Sequence, residues 1–264
     1  AFDSQIEQLE VEEQDTTSNL FVVPANLIAN VTVDAGEIHF GDLSLLSVNT
    51  ELAVKERCVR ITNTMATSDI GNVLFEGFYS TRTKSDLKVG VNLSLQEVTA
   101  EKVIELMPAI DTLMPLLSNF SGLLSCDLAL TSQLDTNMNI VMPSAKGVVR
   151  IEGEDLQLVN TPQFTSLAKI LMFKDKNVGY VDHLQVEANL SDGQLEIFPF
   201  VLKMDKYALA MSGIQNVDTQ FRYHVSLIKS PLPFKLGIDL WGNFDDFKFS
   251  LCKPKYKTVD VPVF

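Results

Sequence analysis

A 31-residue pattern occurs twice in this chain, at Ser47–Gly77 and again at His183–Gly213, and the two copies align without a gap. Few residues are identical between them. What recurs is an alternating run, a polar turn, a second alternating run, a loop, and a third run that ends in glycine. Alternation of apolar and polar residues is typical of a strand with one buried face. A repeated three-strand unit predicts a sheet that is extended by repetition, rather than a globule built around a catalytic pocket.

The rest of the chain continues the alternation. It is strict over Leu87–Leu95, Leu184–Leu190 and Phe221–Leu227, and shorter alternating runs lie at 29–33, 38–45, 124–130, 149–158, 236–240 and 247–251. The pattern predicts about fourteen strands, mostly of roughly 5–8 residues. Asp192 and Gly193 stand between two such runs and predict a hairpin. Because most connections are short, we expect a largely antiparallel sheet, curved into a trough or a partial barrel.

Two segments break the alternation and predict short amphipathic helices on the apolar face of the sheet. The first is Thr99–Leu117, with apolar residues at three- and four-residue spacing. Thr99 is a suitable N-cap, and Pro108 predicts a kink or a break. The second is Pro162–Phe173, which begins with a proline in its first turn. The helices either fill an ordinary core, or close part of a trough whose remainder stays open to an apolar guest.

The composition of the chain argues against some classes of binding partner. The 264-residue chain is 46% hydrophobic, which allows a substantial core. It has 34 acidic against 21 basic residues and a net charge of −13, so it lacks the excess of cations with which proteins bind nucleic acid or an anionic membrane surface. Three cysteines, Cys58, Cys126 and Cys252, cannot all pair with one another and are interpreted as buried free thiols.

Catalytic motifs are scarce. His39 and His224 occupy outward, polar positions of strand patterns and His183 lies beside a turn, so all three are predicted to be surface residues. The sequence contains neither a nucleophile elbow nor a glycine-rich phosphate loop. We therefore predict no enzyme activity and no catalytic, cofactor or metal site.

The order of elements in the C-terminal half resembles the C-terminal region of the AsmA family, relatives of TamB, in the form common among Bacteroides-type Gram-negative bacteria. The resemblance covers about 147–251 most closely and rests on patterns of strands and turns. The segments that carry it are Gly147–Gly153, Leu167–Leu171, Leu184–Ile197, Pro199–Leu202, Tyr207–Gly213, Phe221–Leu227 and Ile238–Lys248. It suggests a division into an N-terminal β portion, 1–97, and an AsmA-like C-terminal β portion, 98–264, of one continuous sheet or of one single domain.

The resemblance implies a periplasmic β protein, tethered to the inner membrane by an N-terminal anchor that this chain does not contain, with a role in outer-membrane biogenesis. Its wider clan implies a hydrophobic groove for phospholipid or lipopolysaccharide acyl chains. Burial of a methylene group is worth about 0.8 kcal/mol, so an acyl chain could gain on the order of 10 kcal/mol before entropic costs. The residues predicted to face such a groove are those of the cleanest alternation: Val89, Val91, Leu93, Val186, Leu190, Val225 and Leu227.

Two alternatives remain. One is an envelope interaction module with a filled core, which recruits a protein partner through an exposed sheet edge. The other is a hydrolase, which would need a cleft that brings His183 or His224 next to carboxylates.

Overall fold

The computed structural model describes residues 21–40, 43–68, 71–83, 86–106, 117, 120–158, 179–204, 207–230, 233–243 and 246–258. Nearly all of them belong to strands. The strands are β1 (Ala29–Phe40), β2 (Leu43–Lys55), β3 (Cys58–Ser68), β4 (Gly71–Thr83), β5 (Asp86–Thr99), β6 (Phe120–Ser121), β7 (Leu123–Leu134), β8 (Lys146–Leu158), β9 (Gly179–Ser191), β10 (Gln194–Met204), β11 (Tyr207–Asn216), β12 (Phe221–Lys229), β13 (Leu236–Gly242) and β14 (Phe247–Cys252). One α-helix, α1 (Ala100–Leu106), and a short 3-10 turn at Met142–Ser144 complete the described elements.

The strands form one curved antiparallel sheet that does not close into a barrel, which confirms the predicted fold class. Each strand pairs with the next along the chain, except that β5 pairs with β7 and the two-residue β6 pairs with β8. The sheet continues across the boundary suggested at 97/98, because that boundary lies within β5, which pairs with β7. Among the described residues, β1 and β14 form the two ends of the sheet.

The predicted strand lengths are wrong: eleven of the described strands have between 9 and 14 residues. One physical reason, for the strands whose register shifts, is the β-bulge. An extra residue disturbs the alternation that the sequence shows, yet the strand continues beyond it. The pairing of β3 with β4 shifts in this way between Ile61 and Thr64, and the strand runs on to Ser68.

The sequence repeat is present in the fold as two copies of a three-strand meander, β2–β3–β4 and β9–β10–β11. Adding 136 to the bounds of β2 and β3, 43–55 and 58–68, gives the bounds of β9 and β10, 179–191 and 194–204. The bulge also recurs, between Ile61 and Thr64 in one copy and between Ile197 and Phe200 in the other. The recurring sequence pattern therefore encodes both the strands and the irregularity within them.

The first turn of each unit is a tight two-residue hairpin. Glu56 and Arg57 have φ of 52° and 59°, and Asp192 and Gly193 have φ of 51° and 73°. Two positive φ values in succession characterise the type I′ turn, whose twist matches that of the flanking strands. The hairpin predicted at Asp192 and Gly193 is confirmed.

Helix α1 begins where the first helix was predicted. The backbone N–H of Lys102 donates a 3.4 Å hydrogen bond to Thr99 Oγ1, so Thr99 caps the helix. Val103 is fully buried, and α1 packs against β5 and β7. Residues 107–116, with the break expected near Pro108, lie outside the described residues, as does the whole helix predicted at Pro162–Phe173. No helix within the described part of the chain is long and apolar enough to span a membrane.

The main core lies on one face of the sheet, which we call the apolar face. It extends from Val73 and Leu95 on β4 and β5 to Ile238 and Leu240 on β13, and α1 contributes to it. A small second cluster of Ala208, Ala210 and Ile228 lies on the opposite face of β11 and β12.

Candidate functional site

The strand registers place all seven predicted groove residues on the apolar face. Val91 pairs with Leu130, Leu130 with Gly147, and Gly147 with Leu190, so one row of residues crosses four strands. Paired residues of antiparallel strands point to the same side, and alternation along each strand fixes the other positions. Four of the seven are buried: Val186, Leu190, Val225 and Leu227. The other three are half-buried: Val89, Val91 and Leu93.

The half-buried three belong to a wider part of the apolar face, on β3, β4, β5, β7 and β8, that is not fully covered. We call it the accessible patch. Its members are aliphatic or aromatic and share an intermediate exposure: Val59, Ile61, Phe75, Val89, Val91, Leu93, Leu128, Leu130 and Val149. They form adjoining rows, such as Phe75, Leu93, Leu128 and Val149. The apolar face is thus fully covered at some positions of these strands, such as Leu95, Cys126 and Ile151, and partly open over the accessible patch.

The opposite face of the same strands is not uniformly polar. It carries a shallow groove of about 700 Å³ with Met65, Leu74 and Val148 among its lining residues. These three side chains are 59%, 43% and 54% exposed. Arg150 and Glu187 form an ion pair at 2.7 Å beside them. Both faces of β3–β8 therefore present apolar surface, and among the described residues the opposite face combines it with charges.

The structure corrects the prediction for His224. His39 and His183 are exposed, as expected, with side chains 69% and 54% accessible. His224 lies on the opposite face, as the alternation of β12 requires, but it is only 3% exposed. The reason is a tertiary contact: the residues after β14 fold back over this face and cover the ring.

The segment that covers His224 is Lys253–Lys257, which we call the returning segment. The backbone N–H of Lys255 donates to His224 Nε2 at 3.2 Å, and that of Tyr256 donates to Ser226 Oγ at 3.1 Å. The Tyr256 hydroxyl is 2.8 Å from Ser212 Oγ, and its ring packs on the small cluster of the opposite face. The returning segment thereby turns an outward-facing polar surface into a buried one.

His224 is held by partners on both ring nitrogens. Nδ1 lies 2.6 Å from Asp239 Oδ1, and Nε2 lies 2.9 Å from Ser226 Oγ. Cys252 Sγ is 3.9 Å from Nδ1. His224 and Asp239 border an open cleft of about 620 Å³ whose lining also includes Trp241. Three neighbouring strands, β12, β13 and β14, supply the cluster.

Contacts within the cluster shift the pKa values of Asp239 and Cys252. The hydrogen bond from His224 is the largest influence on Asp239, and it holds the pKa of that carboxyl below its usual value. Desolvation raises the pKa of the Cys252 thiol, and the negative charge of Asp239 raises it further. Hydrogen bonding to an ionised carboxylate favours ionisation, whereas a neighbouring negative charge opposes formation of a thiolate.

The order Ser226, His224, Asp239 is that of a nucleophile, a base and an orienting carboxylate. Ser226, however, is 0% exposed and lies beneath the backbone of Tyr256. A substrate carbonyl cannot approach Ser226 Oγ in this arrangement, so the triad-like geometry does not favour the hydrolase alternative. His183 is 3.9 Å from Glu154, but both side chains are largely exposed.

Sequence reasoning missed this cluster because His224, Asp239 and Cys252 are 13 or more residues apart and are brought together by strand register. The one local signal is the spacing of His224 and Ser226, which puts both on the same face of β12. All three cysteines are free, as predicted, although only Cys126 is fully buried.

Comparisons of the chain with protein-family models, with curated proteins and with solved structures find no match.

Proposed function

We propose that this protein is a non-enzymatic, AsmA-like component of the bacterial envelope that holds lipid acyl chains on the apolar face of its sheet. The observation that supports the proposal is the accessible patch, a continuous aliphatic and aromatic surface on five adjoining strands that is neither fully buried nor broken by charge. The family resemblance of the strand and turn pattern supplies the periplasmic location, the inner-membrane tether and the role in outer-membrane biogenesis.

The patch suits acyl chains because hydrophobic association is non-directional and grows with the area removed from water. Phospholipid and lipopolysaccharide share this part of their chemistry, so either could supply the chains. Three of the residues predicted for lipid contact, Val89, Val91 and Leu93, lie within the patch. Val186, Leu190, Val225 and Leu227 are buried on this face, so we propose that they support the surface rather than contact the lipid.

The test is native mass spectrometry of protein purified without detergent, combined with binding of a fluorescent fatty acid. We expect co-purified lipid and saturable binding of the probe. Val91→Asn should weaken binding because it places an amide within the patch, where an acyl chain cannot satisfy its hydrogen bonds. Val148→Asn is the matched control, because Val148 is a strand valine on the opposite face. Absence of both lipid and probe binding, or equal weakening by the two variants, would overturn the proposal.

A second candidate is an interaction module that recruits an envelope protein by strand addition. Among the described residues, β1 pairs only with β2, although it is 12 residues long. β1 contains neither lysine nor proline, two of the residues that commonly protect an edge from pairing. If this function is the right one, Val33→Pro in β1 should abolish capture of an envelope protein, whereas fatty-acid binding should remain unchanged.

A further inference from the structure

Three potential metal ligands of different chemistry meet at the β14 end of the sheet. His224 on β12 pairs directly with Asp239 on β13. Cys252, the last residue of β14, pairs with Gly237, which lies two residues before Asp239 on β13 and on the same face. The donor atoms of the imidazole, the carboxylate and the thiol all lie within 4.8 Å of one another. This combination of nitrogen, oxygen and sulfur donors is one that zinc accepts.

The hydrogen bonds show where the protons are. Lys255 N–H donates to His224 Nε2, so that nitrogen is an acceptor and the ring proton is on Nδ1. The Nδ1–H group then donates to Asp239, 2.6 Å away. The neighbouring Cys252 thiol also contributes to the lowered pKa of Asp239. The imidazole proton therefore points at an ionised carboxylate, at the place where a cation would bind.

We propose that His224 Nδ1, Asp239 and Cys252 Sγ bind one divalent transition-metal ion of the zinc type. The proposal is independent of lipid binding on the other face of the sheet. With zinc–ligand lengths of about 2.0–2.3 Å, tetrahedral geometry separates nitrogen from sulfur by about 3.6 Å and nitrogen from oxygen by about 3.4 Å. The observed Nδ1–Sγ distance is 3.9 Å, close to what is needed. The observed Nδ1–Oδ1 distance is 2.6 Å, so the carboxylate must move outward by somewhat less than 1 Å.

The surroundings permit that movement. The Asp239 side chain is 42% exposed and borders the cleft, whereas His224 is fixed in place at 3% exposure. One rigid ligand and one adjustable ligand let the ion reach its preferred geometry. The cleft also gives water access to the fourth position, which zinc sites with three protein ligands leave open.

Metal binding changes the protonation of Cys252 and His224. Binding releases the Cys252 thiol proton to solvent, because the thiolate is the ligand. The His224 proton leaves Nδ1 for the metal to bind there, and a proton occupies Nε2, where Ser226 Oγ can accept it at 2.9 Å. Lys255 N–H then loses its acceptor, so ion binding should loosen the returning segment at Lys255.

The experiment uses Co²⁺ as a spectroscopic probe of the intact chain. A cobalt–thiolate bond gives a charge-transfer absorption that nitrogen and oxygen ligands do not produce. We expect this band to saturate at one Co²⁺ per chain and to disappear when Zn²⁺ is added. We also expect amide hydrogen exchange at Lys255 to increase in the presence of Zn²⁺.

Two variants and a control assign the ligands. Cys252→Ser should abolish the charge-transfer band, and Asp239→Asn should weaken Co²⁺ binding by at least the roughly 10–100-fold that loss of an orienting partner costs at known sites. Cys58→Ser removes a partly buried thiol on β3, far from the cluster in the sheet, and should leave the band unchanged. No band with excess Co²⁺, or a band that persists in Cys252→Ser, would overturn the proposal.

Discussion

Tyr256 is the residue that best tests how the returning segment covers the opposite face. Its hydroxyl is 2.8 Å from Ser212 Oγ, and its ring packs on the cluster of Ala208, Ala210 and Ile228. Tyr256→Phe removes only the hydroxyl contact and should lower the free energy of unfolding by about 0.5–1.5 kcal/mol. Tyr256→Ala also removes the ring. A fully buried aromatic ring is worth about 3–5 kcal/mol, and Tyr256 is half-buried, so we expect a total loss of about 2–3 kcal/mol.

The measurement is urea-induced unfolding, together with amide hydrogen exchange at Lys255 and Tyr256. Both amides donate to side chains of β12, so Tyr256→Ala should accelerate their exchange. Lys253→Ala is the control, since this exposed residue lies in the same segment and should change stability by no more than about 0.5 kcal/mol. If Tyr256→Ala is as stable as the control and exchange is unaltered, the segment does not pack as described and the burial of His224 loses its explanation.

Three further predictions concern other parts of the fold. Burial raises the pKa of Cys126 to about 12, so an aromatic disulfide reagent at pH 8 should modify the more accessible Cys58 in the folded protein and reach Cys126 only after unfolding. The lowered pKa of Asp239 means that its hydrogen bond with His224 stabilises the fold fully above about pH 4, the unfolded value, and progressively less as the pH falls through the folded pKa. The stability difference between the wild type and Asp239→Asn, measured by urea unfolding, should therefore shrink between pH 5 and pH 2; a constant difference would contradict this assignment. Gly213→Ala would place a methyl group against the Tyr223 ring and against the backbone carbonyl oxygen of Arg222 on the neighbouring strand. Thermal unfolding should show a loss of about 1–3 kcal/mol, and an unchanged midpoint would contradict this close packing.

The fold class could be predicted from the sequence because it depends on local periodicity. The alternation in Leu184–Leu190 predicts which residues share a face. The Asp192-Gly193 pair predicts where the chain reverses, and both residues have the positive φ of a tight turn. Strand lengths could not be predicted, because a bulge such as that between Ile61 and Thr64 looks like the end of a strand when it is only an added residue.

For the candidate lipid-binding surface, the sequence predicted which face each residue occupies but not how exposed it is. The seven groove residues were predicted to share a face, and they do so because side-chain direction follows from the count along a strand and from the pairing of neighbours. How far each is covered was not predictable, since Val91 and Val225 have the same pattern but differ in exposure.

The sequence by itself determined a repeating antiparallel meander and the side to which each strand turns its apolar residues, because both follow from interactions within a few residues. Only the tertiary structure decided which part of that apolar face is sealed and which is open. It also decided that the residues after β14 bury His224 beside Asp239 and Cys252. These outcomes depend on contacts between residues far apart in the chain, which cannot be predicted from a local sequence pattern.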